Sequence, residues 1–410
     1  MSDFALLGID LGTSSVKVIL TSLSGRLLAA SSREYPIAHP APGHAEQDPA
    51  IWWQATVSAV HSAIGKTDRA VDVLAIGLSG QMHGIVMMGT HGQPLAPAII
   101  WPDQRSSRQV DEITRRIGHD HLIDITGSPV ATGFLAASAL WIKEEVPDLW
   151  DNVCQLLLPK DFIRYRLTGH YATDPSDGSG ALQLDVNSRT WSHELLESLE
   201  IAPELLPRVQ ESQSVAGTLS TAAAKELTLM PGIPVVTGAA DTACSALGTG
   251  AVDAGSLLLT ISTGGQLVLP ISDVAVDRLG RIHSFCSALP SAPGQPGWYQ
   301  MGAMLSAGMA LRWLRDRILG MGGDDAYTRM TNWAAKAPVG ANGLIFLPYL
   351  VGERTPHMNP NARGMFYGLT WQHGRDEFVR AVMEGVTFAC FDGYQVLAEL
   401  GARPERIILA

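Results

Sequence analysis

Ile9-Asp10-Leu11-Gly12-Thr13-Ser14-Ser15-Val16-Lys17 decides how this chain is read. An apolar run, Phe4 to Ile9, ends in an acidic residue. A Gly-Thr-Ser turn follows, and a second apolar run, Val16 to Leu20, leaves it. That is the pattern of a β-hairpin whose turn offers backbone N–H groups and hydroxyls to an anion. Asp10, at the strand end, is placed to hold a Mg²⁺ ion through water. Thr13, Ser14 and Lys17 are then candidates for phosphate contact, and the arrangement suits the terminal phosphates of ATP. The bland alternative is a plain hairpin with no ligand.

A second copy lies past the middle. Ser256 to Ile261 is apolar, Ser262-Thr263-Gly264-Gly265 turns, and Gln266 to Leu269 is apolar again. Two such units, with Thr263, Gly264 and Gly265 as the second set of phosphate candidates, predict two related lobes with a nucleotide between them. Two unrelated glycine-rich hairpins are the alternative.

Length agrees with two lobes, because 410 residues exceed one ordinary core. The composition is 46% hydrophobic and 17% charged, with net charge −11. No Lys/Arg cluster accompanies it, which argues against nucleic acid or an anionic membrane as partner. Cys154, Cys244, Cys286 and Cys390 are far apart and read as reduced thiols of a cytoplasmic protein. The N-terminus lacks the signal-peptide pattern, and no apolar run approaches the ~18 residues of a membrane span.

Strands alternating with helices predict an α/β lobe. Phe4 to Tyr35 reads as three strands, and Asp48-Pro49 as the cap and first residue of a helix reaching Ile64. Val71–Leu78 is a buried strand running into Ser79-Gly80-Gln81-Met82-His83-Gly84, and Ile99–Trp101 ends at Pro102-Asp103. Residues 111–145 are mostly helical. A lobe boundary is expected near Thr249–Gly255, dividing the chain into 1–250 and 251–410. Ser287–Gln300 reads as a loop, Ala303–Leu319 and Arg375–Leu400 as amphipathic helices, and Arg406–Leu409 as a last strand.

Val235-Val236-Thr237-Gly238-Ala239-Ala240-Asp241 carries the best catalytic candidate. A buried strand ends in small residues that let a substrate approach, and Asp241 is the one acid beyond it. A small-molecule kinase needs such a carboxylate to take the proton of the attacking hydroxyl; a helix cap is the other reading. Met82 and His83 suit a sugar, the thioether against carbon faces and the imidazole against hydroxyls, although a histidine here can be structural. Trp101 with Asp103 could bind a polyol, or be a core ring and a turn residue. Lys160-Asp161 and Asp174/Asp177 read as ion pairs or turns, and Glu353-Arg354-Thr355-Pro356-His357 as a structural loop.

Together these pieces resemble the FGGY family of carbohydrate kinases. Gly8-Ile9-Asp10-Leu11-Gly12-Thr13-Ser14 is similar to its first phosphate motif, Ser262-Thr263-Gly264-Gly265 to its second, and Gly238-Ala239-Ala240-Asp241 to the segment bearing its catalytic aspartate. Phe346-Leu347-Pro348-Tyr349-Leu350 with Gly352 to His357, and Gly368-Leu369-Thr370, resemble its carboxy-terminal signatures. Gln81-Met82-His83-Gly84 is similar to the sugar loop of the D-xylulose branch more than to that of the glycerol kinases, and His283-Ser284-Phe285-Cys286 fits that branch. Pro102 stands where the family often has Asn, and Ala137-Ser138 where it usually has Pro-Lys.

The resemblance implies an α/β fold of two ribonuclease-H-like lobes around a hinge, as in actin and hexokinase. It implies ATP-dependent phosphorylation of D-xylulose on its C5 hydroxyl, with Asp241 as base and sugar contact, Asp10 as Mg²⁺ ligand, and ATP and the sugar as partners; a homodimer is left open. The family's adenosine loop, a Gly-Gly-Gly-Ala run, is expected after Ile407-Ile408-Leu409, whereas the sequence stops at Ala410. A truncated second lobe, weak ATP binding and exposed apolar surface there are the matching expectations. A sister kinase for ribulose, fuculose, gluconate or glycerol, and a sugar-binding chain without kinase activity, remain as alternatives.

Overall fold

The computed structural model describes residues 3–290, 292 and 295–410. It divides into two units. The first holds 1–248 with 272–274 and 285–298; the second holds 249–271, 275–284 and 299–410.

The first unit is built on strands β1 (Asp3–Leu11), β2 (Ser15–Ser22), β3 (Leu27–Glu34), β4 (Val71–Gly80), β5 (Val215–Thr218), β6 (Pro234–Val236) and β7 (Ala239–Ala240). They form one sheet in the order β5-β6-β4-β1-β2-β3, with β7 also on β4. β1 runs parallel to β4 and antiparallel to β2. Alternation fixes which face is covered. Ala5, Leu7, Ile9 and Leu11 of β1 and Val16, Val18 and Leu20 of β2 are buried against Trp52, Val60 and Phe162. Phe4, Leu6 and Ile19, on the alternate positions, stay exposed.

The covering helices are α1 (Pro49–Gly65) and α2 (Pro159–Thr168). Asp48 caps α1 by accepting the Ala50 N–H at 2.8 Å, and Pro49 occupies the first turn, where its missing N–H costs nothing. A second, largely helical core gathers Phe134, Leu140, Leu156, Leu182 and Leu195. Residues 107–145 supply three of its helices, Ser107–Ile117, His119–Thr126 and Leu135–Glu145, broken by Gly118 and Gly127. Two further short helices matter below: α3 (Pro175–Ser179) and α4 (Asp241–Thr249).

In the second unit β8 (Ser256–Ile261) and β9 (Gly265–Ile271) form the expected hairpin. With β10 (His283–Cys286), β11 (Trp298–Met304) and β12 (Arg406–Leu409) they make a sheet in the order β10-β11-β9-β8-β12. The helix α5 (Arg375–Glu399) buries Val379, Val382, Val386 and Leu397. Its Phe388 and Phe391, like Ile407 and Leu409 of β12, are exposed.

Two expectations need correction here. The Ser287–Gln300 loop is shorter, because β11 begins at Trp298; residues 291, 293 and 294 of it lie outside the described residues. The Ala303–Leu319 helix starts only at Gly308, since Ala303 and Met304 finish β11 as buried strand residues. Hydrophobic density alone does not separate a fully buried strand end from a helix start.

The first unit also buries charge. Lys160, Asp161 and Arg164 on α2, and Asp174 and Asp177 around α3, have no solvent exposure. The Lys160 ammonium stands 2.7 Å from Asp161, 3.1 Å from Asp174 and 3.7 Å from Asp177, and Arg164 pairs with Asp161 at 2.9 Å. The facing carboxylates hold Lys160 protonated against its burial. Asp177 goes the other way: burial, with the charges of Asp161, Asp174 and Asp241, pushes its carboxyl well above the usual range. Lys160→Met takes the cation from Asp174 and Asp177, and we expect a loss of about 3–5 kcal/mol in urea unfolding of the full chain. A loss below about 1 kcal/mol would mean that the cluster is held by packing alone.

Candidate active site

Asp10 is the penultimate residue of β1, opposite Lys17 of β2 and beside Ser79 of β4. Ser79 donates its hydroxyl to Asp10 Oδ1 at 3.0 Å. The turn after Asp10 is tied down from outside. Tyr35 donates its phenol to the Gly12 carbonyl at 2.5 Å, and Gln47 Nε2 donates to the Thr13 carbonyl at 2.8 Å. Burial and the charge of Asp10 keep that phenol protonated. Trp101 donates its indole N–H to Thr13 Oγ1 at 2.9 Å. The Thr13 hydroxyl therefore accepts from Trp101 and can donate its own hydrogen outward. Ser14 and Lys17 are exposed at the same turn.

Asp241 opens α4. Its Oδ1 accepts the Thr242 N–H at 2.6 Å and the Thr242 hydroxyl at 3.1 Å. These bonds engage Oδ1 and leave Oδ2 for another partner. Burial, reinforced by the charge of Asp10, raises the Asp241 carboxyl to about 6, with the Thr242 bonds pulling down. Asp10 and Asp241 are near enough for the charge of one to raise the other, and among the described residues no group of three or more His, Cys, Asp or Glu is placed to hold a metal ion by itself. Mg²⁺ on a phosphate substrate takes one or two carboxylates and keeps its waters.

Met82 and His83 are buried. His83 adopts φ +77°, uncommon for a residue with a Cβ. Its ring is fixed three ways. It stacks on Phe134 with centroids 3.8 Å apart, lies 5.9 Å from the Phe285 ring, and donates Nδ1–H to the Gly180 carbonyl at 2.9 Å. That bond assigns the Nδ1 proton and makes Nε2 the acceptor of the neutral ring. A Cβ at Gly180 would stand 2.9 Å from His83 Nδ1 and 3.1 Å from Met82 Cε, so only glycine lets the loop approach.

Gly180 directly follows α3, and α3 holds two more pieces. Ser176 Oγ accepts the Ala240 N–H at 3.0 Å, next to Asp241, and Ser179 Oγ accepts the Cys286 N–H at 3.2 Å, next to Phe285. One short helix thus fastens the Asp241 strand end, the His83 loop and the Phe285 segment. Arg189 clamps that last segment by donating to the carbonyls of Ser287, Leu289 and Gly297 while paired with Glu211.

Asp103 does not join them. It is fully buried, and its oxygens accept from the Ala45 N–H at 2.6 Å, the Arg105 N–H at 2.9 Å and the Arg105 guanidinium at 2.8 Å. A carboxylate so surrounded fixes its own loop, and it is removed from the sugar candidates. Trp101 is likewise engaged through its N–H with the phosphate turn. An apolar cavity of about 690 Å³ borders Asp10, Lys17, Ser79 and Gly238 on the uncovered face of the sheet.

Within the second unit, the turn 262–264 packs on the helix Gly308–Trp313. The Thr263 carbonyl accepts the Ala307 and Met309 N–H groups at 3.0 Å, and Arg312 donates to Thr263 Oγ1 at 3.0 Å. Gly264 and Gly265 complete the turn into β9. Glu353 is buried and accepts the Leu305 and Arg354 N–H groups at 2.7 and 2.8 Å, the behaviour of a structural loop.

Ser79, Phe134, Ser176, Ser179 and Gly180 were not among the residues singled out from the sequence. Small and aromatic residues carry no spacing signal; their place emerges only when α3 is packed against β7 and the His83 loop.

With this geometry the chain matches the FGGY family of carbohydrate kinases through both of its domain models, N-terminal over residues 5–248 and C-terminal over residues 268–410. The chain belongs to that family and is a sugar phosphotransferase by class. It is 38% identical over 403 residues to a xylulose kinase of Escherichia coli (strain K12), covering 98% of this chain and 81% of that protein. A xylulose kinase of Bacillus subtilis (strain 168) is 35% identical, covering 98% and 79%. The crystal structure of a xylulose kinase from Rhodospirillum rubrum superposes with a TM-score of 0.91 at 28% identity, covering 99% of this chain and 81% of that one.

The Gly180 contact generates a prediction. Gly180→Ala pushes His83 and Met82 from their places, and we expect KM for the sugar to rise about tenfold with the thermal midpoint little changed. Unchanged KM in steady-state kinetics would make the His83 loop irrelevant to the sugar.

Proposed function

We propose that this chain transfers the γ-phosphoryl group of ATP to the C5 hydroxyl of D-xylulose, giving D-xylulose 5-phosphate and ADP. The observation that carries the reading is the α3 junction, where Asp241 and the His83 loop are fastened to one five-residue helix. The names of the most similar relatives point to the same sugar. Residues 1–250 form the sugar-binding half in this reading, and residues 251–410 the nucleotide-binding half, with Thr263, Gly264 and Gly265 on phosphate. The site of action is the cytoplasm, where ATP is held and the four cysteines, all free, stay reduced.

Asp241 acts as base. Its free carboxylate oxygen accepts the C5 hydroxyl proton as that oxygen attacks the γ-phosphorus and the bond to the ADP oxygen breaks. A carboxyl raised to about 6 is mostly ionised at neutral pH, and it is a better proton acceptor than an ordinary one. Met82 and the His83 ring hold the ketose, with Nε2 at a sugar hydroxyl. Thr13 and Ser14 donate to phosphate, and Lys17 adds positive charge. Asp10 would hold Mg²⁺, which when bound neutralises phosphate charge.

Three outcomes test this. The full chain, assayed with ATP against D-xylulose, D-ribulose, gluconate and glycerol, should favour D-xylulose; preference for another sugar transfers the assignment to that sister activity, and binding without turnover makes it a sugar-binding chain. Asp241→Asn should lower kcat by about two to four orders of magnitude while D-xylulose still binds; near-normal turnover would leave Asp241 a cap. Because the active form of Asp241 is the ionised one, kcat should be flat above pH 7 and fall as pH drops through about 6. A profile flat down to the ordinary carboxylate range, near pH ~4, would contradict the role.

A further inference from the structure

The strand that delivers Asp241 is broken. Val235 of β6 faces Ile76 of β4, and Ala239 of β7 faces Ser79, so four steps along one strand meet three along the other. The extra residue is a bulge, the device that re-aims a side chain at a strand end. Gly238 makes it, at φ +81°, where an added Cβ would stand 2.5 Å from the Leu78 carbonyl. Beyond the break only two residues of strand, Ala239 and Ala240, precede Asp241. Such a short piece does not fix the direction of the next residue by itself.

We propose that Ser176 is the positioning residue for Asp241, its hydroxyl holding the Ala240 N–H so that the base points at the sugar hydroxyl. The hydroxyl hydrogen is already committed to Asp174 Oδ2 at 2.5 Å, which turns the oxygen lone pairs toward Ala240 at 3.0 Å. Asp174 is immobile in turn. Its Oδ2 also accepts the Ser176 N–H at 3.0 Å and the Ser212 hydroxyl at 2.7 Å, and its Oδ1 lies 3.1 Å from the Lys160 ammonium. The same cluster grips the other side of the break. Arg164 donates to the Thr237 carbonyl at 3.0 Å, and the Ser212 carbonyl accepts the Gly238 N–H at 3.0 Å. All these groups are buried. The ion cluster read from sequence as pairs or turns thus sets the geometry of the base.

The inference rests on the kinase reading above and deepens it. Catalysis by a base is steep in distance, whereas sugar affinity comes mainly from Met82 and His83. Ser176→Ala is compared with Ser212→Ala, which removes a hydrogen bond to the same carboxylate but leaves the Ala240 contact. For Ser176→Ala the expected result is a kcat lower by about tenfold to a hundredfold, with KM for D-xylulose within about threefold. Amide hydrogen exchange at Ala240 and Asp241 should be faster. Ser212→Ala, which leaves the Ala240 contact in place, should lower kcat less than Ser176→Ala does. Wild-type kcat and exchange in Ser176→Ala would overturn the proposal, as would equal kcat losses in the two variants. If the unaltered chain phosphorylates no sugar, the kinase reading fails; exchange at Ala240 still decides whether Ser176 holds the strand end.

Discussion

A lysine with no solvent exposure dictates the interior of the first unit. Lys160 can stay charged only among carboxylates, and Asp161, Asp174 and Asp177 supply them from α2 and α3. Two cations and three acids in one buried cluster leave one negative charge over, and burial with the neighbouring acids pushes the Asp177 carboxyl well above the usual range. The arrangement adds little net stability compared with an apolar core of equal volume. It does fix where α3 sits. Everything that α3 touches inherits that position: the Asp241 strand end, the His83 ring and the Phe285 segment.

The candidate base profits from the same environment. Asp241 lies where burial and the Asp10 charge raise its affinity for a proton, and Thr242 keeps the rise moderate. A carboxyl raised to about 6 is mostly ionised at neutral pH. The His83 loop is held firmly as well. His83 is held by a stacked ring, a tilted ring and a carbonyl, so neither its tautomer nor its plane needs to change when a ligand arrives.

The strands of both hairpins, the Asp48-Pro49 helix start and the Asp241 strand end were legible because each is a local pattern: alternation, a cap, a breaker. The family itself was legible from the two Gly-Thr turns and the residues around Asp241. Asp103 was misplaced because a carboxylate after an aromatic residue looks alike whether it faces a ligand or an arginine two residues on; only the Arg105 and Ala45 contacts separate the two. The start of the helix after β11 was misread because buried strand and helix share apolar composition. The role of α3 was invisible, since Pro175-Ser176-Asp177-Gly178-Ser179 has turn composition and its hydrogen bonds reach residues 64 and 107 positions away.

The central claim is that α3 brings the base and the sugar loop to one substrate. A crystal structure of the chain with D-xylulose tests it most directly. The account predicts the C5 oxygen within about 2.6–3.2 Å of the Asp241 carboxylate, with a second hydroxyl donating to His83 Nε2. A ketose bound away from Gly180 and Asp241, or with C5 turned from the carboxylate, would contradict it.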